Sequence, residues 1–428
     1  MSNFTSLPGF RDFYPDDFAV RAHIMRTWRE VARRYGFQEY DGPPLEPLSL
    51  YVEKSGPEIV QQLYNFTDKG GREISLRPEM TPTLARMAGA RAGGMRKPIK
   101  WFSIPQLFRY ERAQRGRLRE HFQLNLDIIG EDDVAADAEL LAAAIDMLRA
   151  FGLTHEDFIA RISDRRLLRA LLLHAGVPED QLTLVYNIVD KLERETPAAL
   201  AARMTAEASV SAETADAVLA IFRHRDFDAV REAYGQTEGV APEIERMATL
   251  FATLEAMGLR EYARFDLSIV RGLAYYTGIV FELFDTRGEL RAICGGGRYD
   301  DLLKRVSGTD LPALGFGMGD VVLRELLSDR GLLPETKQAL DYYVIAVSAE
   351  ERPAMLALAH GLRDAGHSVE YGFRAQGVGK QMKLASTLGA RRVAVLGADE
   401  VAQGVANVKD MQSGEETRIP LAELTARP

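Results

Sequence analysis

The chain has 428 residues, 46% of them hydrophobic and 27% charged, with a net charge of −9. Two or three domains are expected at about 150 residues each, and the acidic balance argues against a non-specific nucleic-acid coat while leaving room for a local basic site. One cysteine, Cys294, excludes an internal disulfide and suits a reducing cytoplasm; the start MSNFTSLPGFRDFYPDD does not read as a signal peptide, and no apolar run reaches the roughly 18 residues of a membrane span.

Residues 17–35 carry apolar groups at helical spacing and predict an amphipathic helix ending near Gly36. GFQEYDGPPLEPLSLY then runs extended and is broken by Pro43 and Pro44. LYNFTDKGGREISLRPE alternates around DKGG and predicts a hairpin. TPTLARMAGARAG is a helix, with Thr81 as its cap and Pro82 in its first turn. IKWFSIPQLFRYE and REHFQLNLDIIG predict two strands joined by a loop centred on Gly116, and DDVAADAELLAAAIDMLRAFG a helix with an acidic first turn.

Residues 165–258 are almost entirely helical in pattern and interrupt a strand-rich chain, so they are expected to form a helical insertion. Strands resume over 263–296, where FDLSIVRGLAYYTGIVFELFD reads mostly as buried strand, and a helix follows over 318–329. Residues 331–340 form a polar, proline-bearing linker. Residues 341–428 alternate strand and helix, which predicts a small α/β domain.

Four stretches carry chemistry. RYERAQRGRLRE spans a hairpin tip and holds Arg109, Arg112, Arg115, Arg117 and Arg119 beside Glu111 and Glu120. Guanidinium forks donate paired hydrogen bonds to phosphate and keep their charge, although a solvated, salt-bridged hairpin has the same composition. LRPEMTPTL puts Glu79 and Thr81 at a strand-to-helix junction, where they suit either an ammonium group or ordinary capping, and local chemistry favours capping. FQLNLDIIG sends Gln123, Asn125 and Asp127 to one face and Phe122, Leu124, Leu126 and Ile128 to the other; a wet outer face is the commoner outcome of such alternation, a polar site floor the rarer one. CGGGRYDDLL predicts a glycine loop between strand and helix, whose backbone N–H groups could approach an anion. No histidine or cysteine cluster has metal-ligand spacing. Locally, these fragments point to an antiparallel sheet with arginines, carboxylates and tyrosines on one face, suited to a phosphate-bearing substrate.

With these stretches in hand the chain resembles the histidyl-tRNA synthetases, class II aminoacyl-tRNA synthetases. YGFQEYDGPPLE resembles the class's first motif, which builds the dimer interface. FRYERAQRGRLREHFQLNLDIIG resembles the second motif, RGLAYYTGIVFE the family's histidine motif, and VGKQMKLASTLGARRVAVLG its anticodon-binding domain. The resemblance implies an α+β catalytic domain with an antiparallel sheet over 1–164 and 259–330, a helical insertion over 165–258, a linker over 331–340, and a C-terminal α/β anticodon-binding domain over 341–428. It further implies activation of L-histidine by ATP with Mg2+, transfer to tRNA(His), a homodimer and a cytoplasmic location, with neither a tightly bound cofactor nor a structural metal.

Residue roles transfer position by position. Arg271 and Arg109 would be catalytic; Glu79, Met80, Thr81, Gln123, Asp127, Tyr275 and Tyr276 would meet histidine; Arg109, Glu111, Arg117 and Arg271 would meet ATP; Gln114 and Arg115 would meet the tRNA acceptor end. The resemblance gives Asp127 and Tyr276 to the imidazole, and strand alternation, which turns neighbouring residues to opposite faces, leaves Tyr275 to wall packing. Two positions depart from the family pattern. Ala274 stands where aspartate is usual. Val322 stands where the third motif carries its ATP-holding arginine, and Arg324, two positions on, is turned about 200° away on a helix. The alternatives are a non-charging relative of the ATP phosphoribosyltransferase regulatory subunit and a tRNA-binding module with a decayed ATP site.

Overall fold

The structure, a computed structural model, describes residues 4–110, 114, 116–192, 194–269, 275–335 and 340–426, without the side chains of 54, 55 and 57. They divide into two compact units, Met1–Pro334 and Glu335–Pro428.

The larger unit opens with α1 (Pro15–Arg34). Proline begins it, Asp16 and Asp17 complement its N-terminal dipole, and Val20, Ile24, Trp28 and Val31 form its buried stripe. The central sheet contains β1 (Gln38–Glu39), β2 (Ile99–Ser103), β3 (Gln106–Phe108), β4 (Glu120–Ile129), β5 (Phe158–Asp164), β6 (Ala263–Phe265), β7 (Ile279–Asp285), β8 (Cys294–Arg298) and β9 (Ala313–Gly319). Their order is β1-β2-β4-β9-β8-β7-β5-β6, with β3 also paired to β4. The sheet is mixed: the edge pairs β1–β2 and β5–β6 are parallel, and the remaining pairs are antiparallel. The expected DKGG hairpin joins Asn65–Thr67 to Glu73–Leu76 in a separate small sheet.

Alternation in β4 decides what lies on each side of the sheet. Leu124, Leu126 and Ile128 enter the main core with Leu141, Ile145 and Leu148 of α3 (Val134–Arg149), the helix capped by Asp133. The helices of 165–258 place Leu168, Leu171, Val185, Ile244, Met247 and Leu250 in this same core. The opposite face of β4 carries Gln123, Asn125 and Asp127.

Three expectations change. Gly295, Gly296 and Gly297 lie inside β8 and form no loop. A Cβ on Gly297 would come within 2.6 Å of the Ile279 carbonyl, and one on Gly296 would strike the Gly315 carbonyl. Close strand packing therefore explains Gly296 and Gly297. Second, helix α2 (Thr81–Arg91) is capped at Met80, and no side chain makes a cap hydrogen bond there. Third, the strand expected across 265–285 begins only at Ile279; Tyr275 and Tyr276 precede it in irregular chain, while Arg271 and Ala274 lie outside the described residues. Thr277 N–H donates to the Arg298 carbonyl (2.7 Å), so the chain turns against β8 before joining the sheet.

The smaller unit has a five-stranded sheet. Val369–Tyr371, Tyr342–Ala346 and Arg392–Leu396 run parallel, followed antiparallel by Val405–Asp410 and Glu416–Pro420. Among the described residues no helix is long and apolar enough to cross a membrane.

Candidate active site

A cavity of about 700 Å³ lies over the polar face of β4. The strand runs the length of it, with Asp127 towards one end and His121 towards the other. Six residues at about 3.3 Å each separate those ends by roughly 20 Å, room for an extended substrate.

At the Asp127 end the groups are aromatic and acidic. Asn125 and Asp127 are 5% and 4% exposed, so the polar stripe is an enclosed floor and not the wet face that local chemistry favoured. Tyr299 is buried and donates its hydroxyl to the Asp127 carboxylate. Burial first, then that carboxylate, raises the Tyr299 phenol well above its ordinary range, so it stays a donor. Tyr275 and Tyr276 both line the cavity, with ring centroids 4.3 Å apart. Their expected division of labour rested on strand alternation, and neither lies in a strand. Glu79 and Thr81, at the start of α2, also line the cavity.

Two glycines make the floor possible. Gly315 pairs with Asp127 and Gly317 with Asn125 across β9–β4. A Cβ on Gly315 would occupy the Asp127 carboxylate, and one on Gly317 would occupy the Gln123 amide. Gly315→Ala is therefore expected to raise the KM for a ligand held by Asp127 by about 10- to 100-fold, the range for losing a hydrogen bond to a charged group, while leaving the KM for a phosphate ligand within about twofold. Steady-state kinetics in each substrate separates the two effects.

At the other end the charge is positive. Arg109 donates Nε–H to the Pro78 carbonyl (3.0 Å), which fixes its stem, and it lines the cavity with Arg117 and Arg291. Burial, and then the charges of Arg291 and Arg109, lower the pKa of Arg117. His121 Nε2 lies 3.4 Å from Gln123 Oε1, and Gln123 Nε2 donates to Asn125 Oδ1 (2.8 Å). Burial, helped by Arg109, pushes His121 down to about 4. Its imidazole is thus neutral at pH 7 and adds no cation. Between pH 6.5 and about 4 the unfolded chain binds the proton more readily, so this group makes stability fall as pH falls through that window. NMR titration should show the His121 ring neutral down to pH 5, and His121→Gln should flatten that part of the stability profile.

The start of α4 (Asp320–Asp329) closes this end. Asp320 accepts from Arg11 (2.8 Å) and from the Phe122 N–H (2.9 Å), while Arg11 also pairs with Glu120 (2.6 Å). The N-terminal stretch is thereby tied to β4. Val321 and Val322 line the cavity, and Val322 packs into the core. Arg324 pairs with Asp17 of α1 (2.6 Å) and does not reach the site, as its helical offset predicted.

Of the residues picked from sequence, the cavity gathers Glu79, Thr81, Arg109, Arg117, Gln123, Asp127, Tyr275 and Tyr276. Met80 is fully buried and is not part of its lining. Gln114 is exposed at the hairpin tip, bridged to Arg117 through their backbones. Glu111, Arg115 and Arg271 lie outside the described residues. Sequence reasoning missed Tyr299, His121 and Arg291 as site residues. Asn125 stood in the polar stripe and was passed over. Among the described residues no group of three His, Cys, Asp or Glu could hold a metal ion.

The family model for histidyl-tRNA synthetase matches residues 9–320, and that for an anticodon-binding domain matches residues 341–427. A histidine–tRNA ligase of Opitutus terrae is 46% identical over 428 residues, covering 100% of this chain and 98% of the relative. The chloroplastic/mitochondrial histidine–tRNA ligase of Arabidopsis thaliana is 41% identical, covering 97% of this chain and 85% of the relative. The crystal structure of histidyl-tRNA synthetase from Nostoc sp. PCC 7120 superposes with a TM-score of 0.83 at 24% identity, covering 99% and 98% of the two chains, and so shows the shared fold.

Proposed function

The chain belongs to the histidyl-tRNA synthetase family, and from that premise we propose that its cavity activates L-histidine with ATP and transfers the histidyl group to the 3′ end of tRNA(His). The full-length match to histidine–tRNA ligases carries this reading. The polarity of the cavity supports it: a carboxylate–phenol pair at one end suits an imidazole, and arginines at the other suit phosphates. No observation favours the non-charging alternative.

In this proposal Glu79, Thr81 and Gln123 hold the α-ammonium group of histidine, and Asp127 accepts from the imidazole N–H. The Tyr299 hydroxyl holds that carboxylate in place, which ties the side-chain specificity to a buried pair. The histidine carboxylate attacks the α-phosphorus of ATP and expels pyrophosphate. Both reactants are anions, so their repulsion adds to the barrier. Arg109 and Arg271 offset it and stabilise charge spread over the phosphoryl oxygens, while Glu111 and Arg117 meet the rest of ATP. Mg2+ would arrive with the triphosphate. Gln114 and Arg115, near the hairpin tip, would meet the tRNA acceptor end, whose ribose hydroxyl then takes the histidyl group.

A homodimer and a cytoplasmic location belong to the same proposal. The exposed rings of Phe66 and Tyr110 are surface of the kind a second copy covers; sedimentation velocity would test it. For the activity, purified protein should exchange labelled pyrophosphate into ATP only when histidine is present, and then charge tRNA(His). Histidine binding without exchange would overturn the synthetase reading.

A further inference from the structure

We propose that Arg291, on the turn between β7 and β8, is an ATP-binding residue that supplies the phosphate-facing cation absent from position 322. This deepens the synthetase reading and rests on it.

The turn is built to hold a side chain in place. Asp285 accepts from the Leu290 N–H (3.0 Å), Thr286 N–H donates to the Asp157 carbonyl (3.0 Å), and Ile293 N–H donates to the Leu283 carbonyl (2.8 Å). Ile293 is buried and Leu290 packs against the same core. Arg291 sits between these two anchors, and its own side chain is exposed into the cavity. Its aliphatic stem lies over the motif-two hairpin. A Cβ built on Gly116 would stand 3.5 Å from Arg291 Cδ and 3.6 Å from Val322 Cγ2, so the arginine stem and the valine flank one point at the hairpin tip.

The charges around it leave Arg291 without a carboxylate partner among the described residues. Arg161 is engaged by Asp266 (2.6 Å) and Arg324 by Asp17 (2.6 Å). Arg291 instead shares the cavity with Arg117 and Arg109, and after burial its charge is the largest cause of the lowered Arg117 pKa. Like charges gathered in a partly dehydrated cavity repel each other, and a polyanion bound among them removes that cost. A triphosphate has the length and charge to touch all three, and the carboxylate of the second substrate has neither. The α4 start contributes only Val321 and Val322 to the cavity, so no cation comes from that side. A guanidinium approaching from the β7–β8 turn reaches the same region from the neighbouring element.

The test compares Arg291→Ala and Arg291→Lys with the unchanged full-length protein. ATP affinity is measured by titration calorimetry, which needs no turnover, and KM for ATP and for histidine by pyrophosphate exchange. Losing a charge-assisted hydrogen bond predicts an ATP Kd and KM raised by about 10- to 100-fold in Arg291→Ala. Arg291→Lys should fall between, since it keeps the charge and loses the fork. KM for histidine should stay within twofold. An ATP Kd within twofold of the unchanged protein, or an equal rise in both KM values, would overturn the assignment. If the unchanged protein binds ATP but shows no histidine-dependent exchange, the synthetase reading falls, and the calorimetry still decides whether Arg291 holds ATP.

Discussion

Arg109→Ala is expected to lower histidine-dependent pyrophosphate exchange by about 10²- to 10³-fold, the usual cost of removing one preorganised donor from a developing charge. The loss should fall mainly on kcat. The Arg109 stem is already held by the Pro78 carbonyl, so the guanidinium is set in place before the substrate arrives. Placement of this kind matters most where charge moves from a carboxylate to a phosphoryl group. The Pro78 carbonyl stays beside the cavity when the side chain is shortened, so the thermal midpoint should change little. Arg109→Lys should recover a minor part of the rate, because one ammonium cannot bridge a carboxylate and a phosphate with a planar fork. Rapid-quench measurement of the first turnover isolates the step. A first-turnover rate within threefold of the unchanged enzyme would remove Arg109 from the chemistry.

The sequence was most legible where two residues on one strand face share a fate. Alternation, rigid in a ten-residue strand, puts Gln123, Asn125 and Asp127 on one face, and the resemblance singles out Gln123 and Asp127. Alternation could not say whether that face met water or substrate, because the answer lies in β9, nearly 190 residues later. Gly315 and Gly317 leave the space that the polar side chains fill. The same rule failed at Tyr275 and Tyr276. A run of apolar and aromatic residues has the composition of a strand whether it pairs or packs, and here Tyr276 joins a second cluster with Ile269, Val280 and Tyr299 before pairing begins. CGGGRYDD misled in the opposite direction. Its glycines permit a loop, but they also permit two strands to approach closely, and β8 lies between β7 and β9. Tyr299 and Arg291 carry no local signal at all. Each is one residue at a strand end or in a turn, given meaning by a neighbour more than 150 positions away in the chain.

Arg298→Met should destabilise the larger unit by about 3–5 kcal/mol, the cost of stranding one charge of a buried pair. Arg298 is wholly buried at the end of β8. Its Nη2 lies 2.5 Å from Asp137 Oδ2 of α3, and its Nη1 donates to the Glu131 carbonyl (2.8 Å). Burial works against its charge, but the hydrogen bonds to Asp137 outweigh this and raise its pKa. The pair therefore welds the helix on one side of the sheet to the strand that carries Tyr299 at its exit. Methionine fills similar space but leaves Asp137 facing an apolar neighbour, with Arg246, 3.8 Å away, as its remaining cation among the described residues. Urea titration followed by tryptophan emission reports on this unit alone, because Trp28 and Trp101 both lie within it. Arg298→Met combined with Asp137→Leu should recover much of the loss, since replacing both partners removes the stranded charge. Full additivity of the two single changes would mean that the pair is not coupled. The Arg298 carbonyl also receives the Thr277 N–H, just beyond Tyr275 and Tyr276. A strand end displaced by the lost pair should therefore raise the KM for histidine more than that for ATP, which would connect the buried pair to recognition of the smaller substrate.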